Sequence, residues 1–183
     1  MITIASKIQQ MIDDYKERGE WIKLHSFLLE IIKDYPDEYY FLTELSSVCY
    51  QLNLPSECLN YAERAYKIAV NDLWVTFHYG MALYLNDDFE EGQIMFSKII
   101  STSVDVLAYG EHGERLKWAK SLVNDSRYMI ALCLMQQQKY SDAEIILQEH
   151  ISKRKRGIYS DFSKRQALSH LQNIRQKIEN SGN

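Results

Sequence analysis

Apolar residues recur along this chain at intervals of three and four positions, the spacing that places them on one face of an α-helix. Residues 73–85, 116–134 and 168–178 follow this pattern. Only 7 glycines and 2 prolines occur, too few for the many tight turns of an all-β fold. The pattern therefore predicts one all-α domain over residues 1–183, with long helices joined by short loops.

Small residues recur with a period of 34 positions. Gly80 and Gly92 lie twelve residues apart, and Ser46 and Cys58 occupy the same places one period earlier. Glycine in a helix interior costs roughly 1 kcal/mol relative to alanine, so its presence needs a compensating contact. Small residues let two crossing helices approach closely. The period thus predicts a repeated helix pair.

Other landmarks place a first repeat, although its equivalent positions hold the large residues Ile12 and Leu24. Gly19 supplies a turn, Trp21 an aromatic start to the second helix, and Pro36 a termination signal. Later repeats carry matching residues: Phe89, Tyr140 and the small pair Ala131 and Ala143. The predicted repeats are 5–38, 39–72, 73–106 and 124–157, the last displaced by 17 residues through an insertion at about 104–123.

This pairing of small and aromatic residues over 34 positions resembles the tetratricopeptide repeat, although the family's first-helix tryptophan is absent from every repeat. The resemblance implies a right-handed superhelical stack of antiparallel helix pairs. The apolar pattern also predicts one long helix at about 114–137 and a capping helix at about 161–180. The apolar stripe of the capping helix consists of Leu168, Leu171, Ile174 and Ile178.

The third repeat has more apolar faces than packing requires. Thr76, Gly80 and Leu83 suffice to pack the helix 73–85, yet a second stripe follows at Trp74, Phe77, Met81 and Tyr84. The resemblance implies that this stripe lines a concave, partner-binding groove. Equivalent positions in the other repeats are Tyr40, Thr43, Ser47 and Tyr50, then Tyr128, Leu132 and Met135, and the polar Gln9, Asp13 and Lys16. The alternatives are a helix buried on all sides or a groove covered by the C-terminal helix.

The formal net charge of −4 is unevenly distributed. Residues 1–106 contain 17 acidic and 8 basic residues, a net charge of −9, whereas 107–183 contain 8 and 13, a net charge of +5. The acidic front argues against nucleic-acid binding and favours a basic partner, although a solvated surface explains it equally. The basic run 153–156 is interpreted as a helix C-terminus, with an anionic partner as the alternative.

Neither a membrane-spanning segment nor a signal peptide is predicted. Cys49, Cys58 and Cys133 form an odd set without CxxC spacing, each within an apolar helical pattern. We therefore expect reduced core cysteines and a cytoplasmic location.

Catalytic motifs are absent from the sequence: it has no glycine-rich phosphate loop, HExxH or GxSxG. The five histidines lack metal-ligand spacing. His112, between Glu111 and Glu114, has the residue types of a general base or metal ligand, but an exposed insertion loop is favoured. We expect no enzymatic activity, cofactor or metal.

The sequence thus predicts a module that binds another protein or peptide, and the acidic front favours a basic one. One alternative is an immunity protein or chaperone that holds a secreted toxin or effector. Another is a structural homodimer formed through the aromatic stripe. The insertion is either a lid over the groove or a longer connection.

Overall fold

A computed structural model of the chain describes residues 4–111, 113, 115–154 and 160–181. These residues form ten α-helices and no β-strand, so the all-α prediction is confirmed. The helices are α1 Ile4–Glu17, α2 Trp21–Asp34, α3 Tyr39–Gln51, α4 Pro55–Ile68, α5 Leu73–Leu85, α6 Phe89–Ser101, α7 Val104–Tyr109, α8 Arg115–Gln136, α9 Tyr140–Lys153 and α10 Lys164–Ser181.

The helices group into two compact units, Met1–Val70 and Asn71–Asn183, which we call the N-terminal and C-terminal units. In the N-terminal unit, α1 packs on α2, α2 on α3 and α3 on α4. In the C-terminal unit, α5 packs on α6 and α8, α6 and α7 on α8, and α9 on α8 and α10. Most helices therefore pack on their neighbours in the chain, as in repeat proteins.

Helix starts agree with the aromatic landmarks. Helices α2, α6 and α9 begin at Trp21, Phe89 and Tyr140. Gly19 precedes α2 with a φ of 65°, a left-handed conformation that glycine adopts without a steric penalty. Asp72 caps α5 by accepting a hydrogen bond from the backbone N–H of Trp74 at 2.9 Å. Local chemistry accounts for these boundaries.

The small residues of the second and third repeats lie at close contacts between paired helices. A Cβ atom added at Gly80 of α5 would lie 2.8 Å from the Phe96 ring of α6. One added at Gly92 would lie 3.3 Å from the Gly80 carbonyl oxygen. In α3 and α4, the Ser46 hydroxyl donates to the Cys58 carbonyl at 3.0 Å. The predicted reason for the 34-residue period is confirmed at these two pairs.

The insertion forms α7 and the beginning of the long helix α8. Leu107 and Ala108 of α7 are buried, and α7 packs on α8. His112, the candidate general base or metal ligand, and Glu114, one of its two flanking acids, lie outside the described residues. Among the described helices, none is both long and apolar enough to span a lipid bilayer.

The C-terminal helix α10 packs on α9 through one apolar stripe. Leu171 and Ile174 are buried as predicted, and Ile178 is half-buried. The prediction for Leu168 is wrong, because this side chain is 46% exposed and Ala167 is buried in its stead. The stripe therefore follows the four-residue step from Ala167 to Leu171.

Candidate protein-binding surface

The predicted aromatic stripe of α5 is divided between the interior and the surface. Phe77 is buried, and its ring meets the Phe96 ring edge to face at a centroid distance of 5.5 Å. Trp74, Met81 and Tyr84 are half-buried. Because α5 is apolar on almost every side, its sequence does not reveal that Phe77 belongs to the core.

Tyr84 joins the exposed part of α5 to α8. The Tyr84 ring lies 5.5 Å from the Phe89 ring, and its hydroxyl accepts a hydrogen bond from Gln136 Nε2 at 3.4 Å. Leu132 lies one helical turn before Gln136 and is therefore on the same side of α8. Met81, Tyr84, Leu132 and Met135 are half-buried and pack against the core of the C-terminal unit. Trp74 is also half-buried and belongs to the same stripe of α5. We call these five residues the α5–α8 surface.

Tyr128 is buried beneath the segment that leads into α10. Its ring stacks on that of Phe162, with centroids 4.2 Å apart and planes 17° from parallel. The rings of His150 and His170 lie 5.2 and 5.9 Å away. Tyr128 is 2% exposed, so in this conformation it offers no surface to a partner.

Asp125 holds the segment that covers Tyr128 through hydrogen bonds. The buried carboxylate accepts hydrogen bonds from the Ser160 hydroxyl and from the Asp161 backbone N–H, the latter at 3.1 Å. A guanidinium N–H of Arg154 donates to the Phe162 carbonyl. Burial raises the pKa of Asp125 to about 6. The sequence analysis missed Asp125, although an acid three residues before Tyr128 on an apolar face was an available signal.

Tyr40 of the N-terminal unit belongs to a polar network between α1 and α3. Its hydroxyl donates to Gln9 Oε1 at 2.6 Å and lies 3.2 Å from Glu44 Oε1. Glu44 is 2% exposed, and its carboxylate lies 2.5 Å from the ammonium of Lys16. Burial and the charge of Glu44 raise the pKa of Tyr40 above its ordinary value. Glu44 was not identified from the sequence.

The other predicted positions of α3 differ in burial. Thr43 is fully buried, and its hydroxyl donates to the Tyr39 carbonyl at 2.7 Å. Ser47 and Tyr50 are half-buried. Thr43 therefore offers no surface, while Tyr40 and Tyr50 stay partly accessible on a face that also carries charge.

A pocket of about 170 Å³ lies in the C-terminal unit where α7 meets the start of α5. Leu73, Leu107 and Trp118 line it. Val106, also at the pocket, is 59% exposed, and the nearby Tyr109 is 68% exposed. The sequence analysis missed this feature because the insertion lies outside the repeat pattern.

Three possible metal ligands come together in the N-terminal unit. One ligand atom each from His25, Cys49 and Glu57 lies within 4.8 Å of the others. No metal was expected from the sequence, because the five histidines lack ligand spacing. His25, Cys49 and Glu57 are 24 and 8 positions apart and were not identified as a group. Their proximity depends on how three helices pack.

Comparison with known proteins leaves the family open. No protein-family model matches the sequence, and no curated protein is significantly similar to it.

Proposed function

We propose that the chain is a non-enzymatic, tetratricopeptide-repeat-like module whose α5–α8 surface binds a segment of a partner polypeptide. The observation that supports this proposal is the group of half-buried aromatic residues, methionines and leucine on this surface. Aromatic residues and methionine are enriched at protein interfaces, where they supply a large contact area. Of the nine side chains predicted from sequence, the proposal retains Trp74, Met81, Tyr84 and Leu132 at this surface.

Partial burial lowers the entropic cost of binding. Tyr84 is held by the Phe89 ring and by Gln136, and Trp74 meets the His78 ring at a centroid distance of 5.0 Å. Side chains that are already restrained lose less rotamer freedom when a partner covers them. The surface is thus preorganised for an apolar segment.

The pocket beside Leu73 supplies a site for one anchoring side chain. A cavity of roughly 150 Å³ accommodates a benzene ring, and this pocket of about 170 Å³ is of comparable size. Leu73 precedes Trp74 directly in α5. A partner residue with an aromatic or branched aliphatic side chain would fit there.

The charge distribution favours a basic partner. Residues 1–106 carry a net charge of −9, which accelerates encounter with a positively charged protein at low salt. An immunity protein or chaperone that holds a basic toxin or effector fits this description and is a special case of the same proposal. The cytoplasmic location stays a prediction from the cysteines.

Affinity capture from the source cells tests the proposal. We expect a partner that wild type retains and that a Trp74→Ala/Met81→Ala variant loses, with both proteins equally helical by circular dichroism. Ile145→Gln, at a 63% exposed apolar position of α9, is the matched control and should capture like wild type. Equal capture by all three proteins would place binding elsewhere.

Sedimentation distinguishes the homodimer alternative. A peptide-binding surface predicts a monomer for wild type and for both variants. If wild type and Ile145→Gln sediment as dimers and the double variant as a monomer, the α5–α8 surface pairs with its own copy and the proposal fails.

A further inference from the structure

The N-terminal unit brings together three side chains of different chemistry from three consecutive helices. His25 belongs to α2, Cys49 to α3 and Glu57 to α4. His25 Nε2 and Glu57 Oε2 lie 3.2 Å apart, and the Cys49 sulfur completes a group whose ligand atoms all lie within 4.8 Å of one another. An imidazole nitrogen, a sulfur and a carboxylate oxygen thus lie close together.

The spacing is close to that of a tetrahedral zinc site. Zinc binds these ligand types at about 2.0–2.3 Å, so its ligand atoms lie about 3.5 Å from one another. The His25–Glu57 pair already has nearly this separation, and the cysteine sulfur, at most 4.8 Å from the other two ligand atoms, is within about 1.3 Å of it. A nitrogen and a thiolate together favour zinc over the oxygen-preferring magnesium and calcium ions.

The three side chains range from exposed to fully buried, so an ion can enter from solvent and still be held by a buried ligand. Glu57 is exposed, the His25 side chain is 16% exposed and Cys49 is fully buried. A bound zinc ion displaces the thiol proton and stabilises the thiolate.

We propose that His25, Cys49 and Glu57 form a zinc-binding site that links α2, α3 and α4. Three protein ligands leave the fourth position to water or to an outside ligand. The inference does not rest on the α5–α8 surface, which belongs to the C-terminal unit. It also gives a role to the His25–Glu57 contact, which spans the first two predicted repeats.

Cobalt titration of tag-free, chelator-treated protein tests the site. We expect one equivalent of Co²⁺ to produce a thiolate-to-cobalt charge-transfer band in the near ultraviolet, and Zn²⁺ to abolish it. Cys49→Ser should lose the band. His25→Gln and Glu57→Gln should each weaken binding by about tenfold or more. Cys133→Ala removes a buried free cysteine of the C-terminal unit and should leave the titration unchanged.

Three results would contradict the proposed zinc site. These are no band in wild type, a band that persists in Cys49→Ser, and wild-type affinity in both His25→Gln and Glu57→Gln. Circular dichroism of each apo variant tests whether it folds. If Cys49→Ser does not fold, His25→Gln and Glu57→Gln decide the question, because neither side chain belongs to the buried core.

Discussion

Gly80 allows α5 to lie close to α6, because glycine has no Cβ atom. Alanine at this position gains helix propensity of about 1 kcal/mol, but its Cβ would lie 2.8 Å from the Phe96 ring, which is itself fully buried. Overpacking of this kind costs about 1–3 kcal/mol. We therefore expect Gly80→Ala to lower the free energy of unfolding in urea titrations. Gly92→Ala, whose nearest contact is 3.3 Å, should cost less; the reverse order would contradict this account.

Asp125 makes stability depend on pH. Burial raises its pKa from 3.8 to about 6, so the folded protein binds the proton more tightly than the unfolded chain does. The resulting stabilisation is complete below about pH 4 and disappears as the pH rises through about 6. We expect the stability of wild type relative to Asp125→Asn to fall over this range. Unfolding titrations at several pH values measure the difference, and a constant difference would refute the prediction.

The ion pair between Lys16 and Glu44 fixes α1 to α3. Lys16→Met leaves the buried Glu44 carboxylate without its cation, and an uncompensated buried polar group costs about 1–3 kcal/mol or more when charged. We expect that loss in the free energy of unfolding. Glu44→Gln in the same background should restore part of it by removing the charge. A double-mutant cycle that shows no coupling would contradict the assigned role.

Helix boundaries were predictable because their determinants are local. Gly19 and Trp21 lie within three residues of the turn that they define, and the apolar spacing of residues 116–134 alone indicates one long helix. Contacts between distant helices were not predictable in the same way. Phe162 covers Tyr128 from 34 positions away, and Phe77 is buried against Phe96 of the next helix. The packing partners of a helix decide which of its apolar faces stays accessible. Periodicity in the sequence does not specify those partners.

The proposed zinc site and the proposed binding surface belong to different compact units, Met1–Val70 and Asn71–Asn183. A ligand that binds only folded protein stabilises it by about 2.7 kcal/mol at a hundredfold excess over its dissociation constant. We expect zinc to slow hydrogen exchange in α2, α3 and α4, which carry the three ligands, and to leave exchange in α5 and α8 unchanged. At the same zinc concentration, His25→Gln should show weaker protection than wild type, because it binds zinc less tightly, yet capture the same partner. Two results would contradict this independence: protection of α5 and α8 by zinc, or loss of the partner in His25→Gln. Either would show that metal binding in one unit is coupled to partner binding in the other.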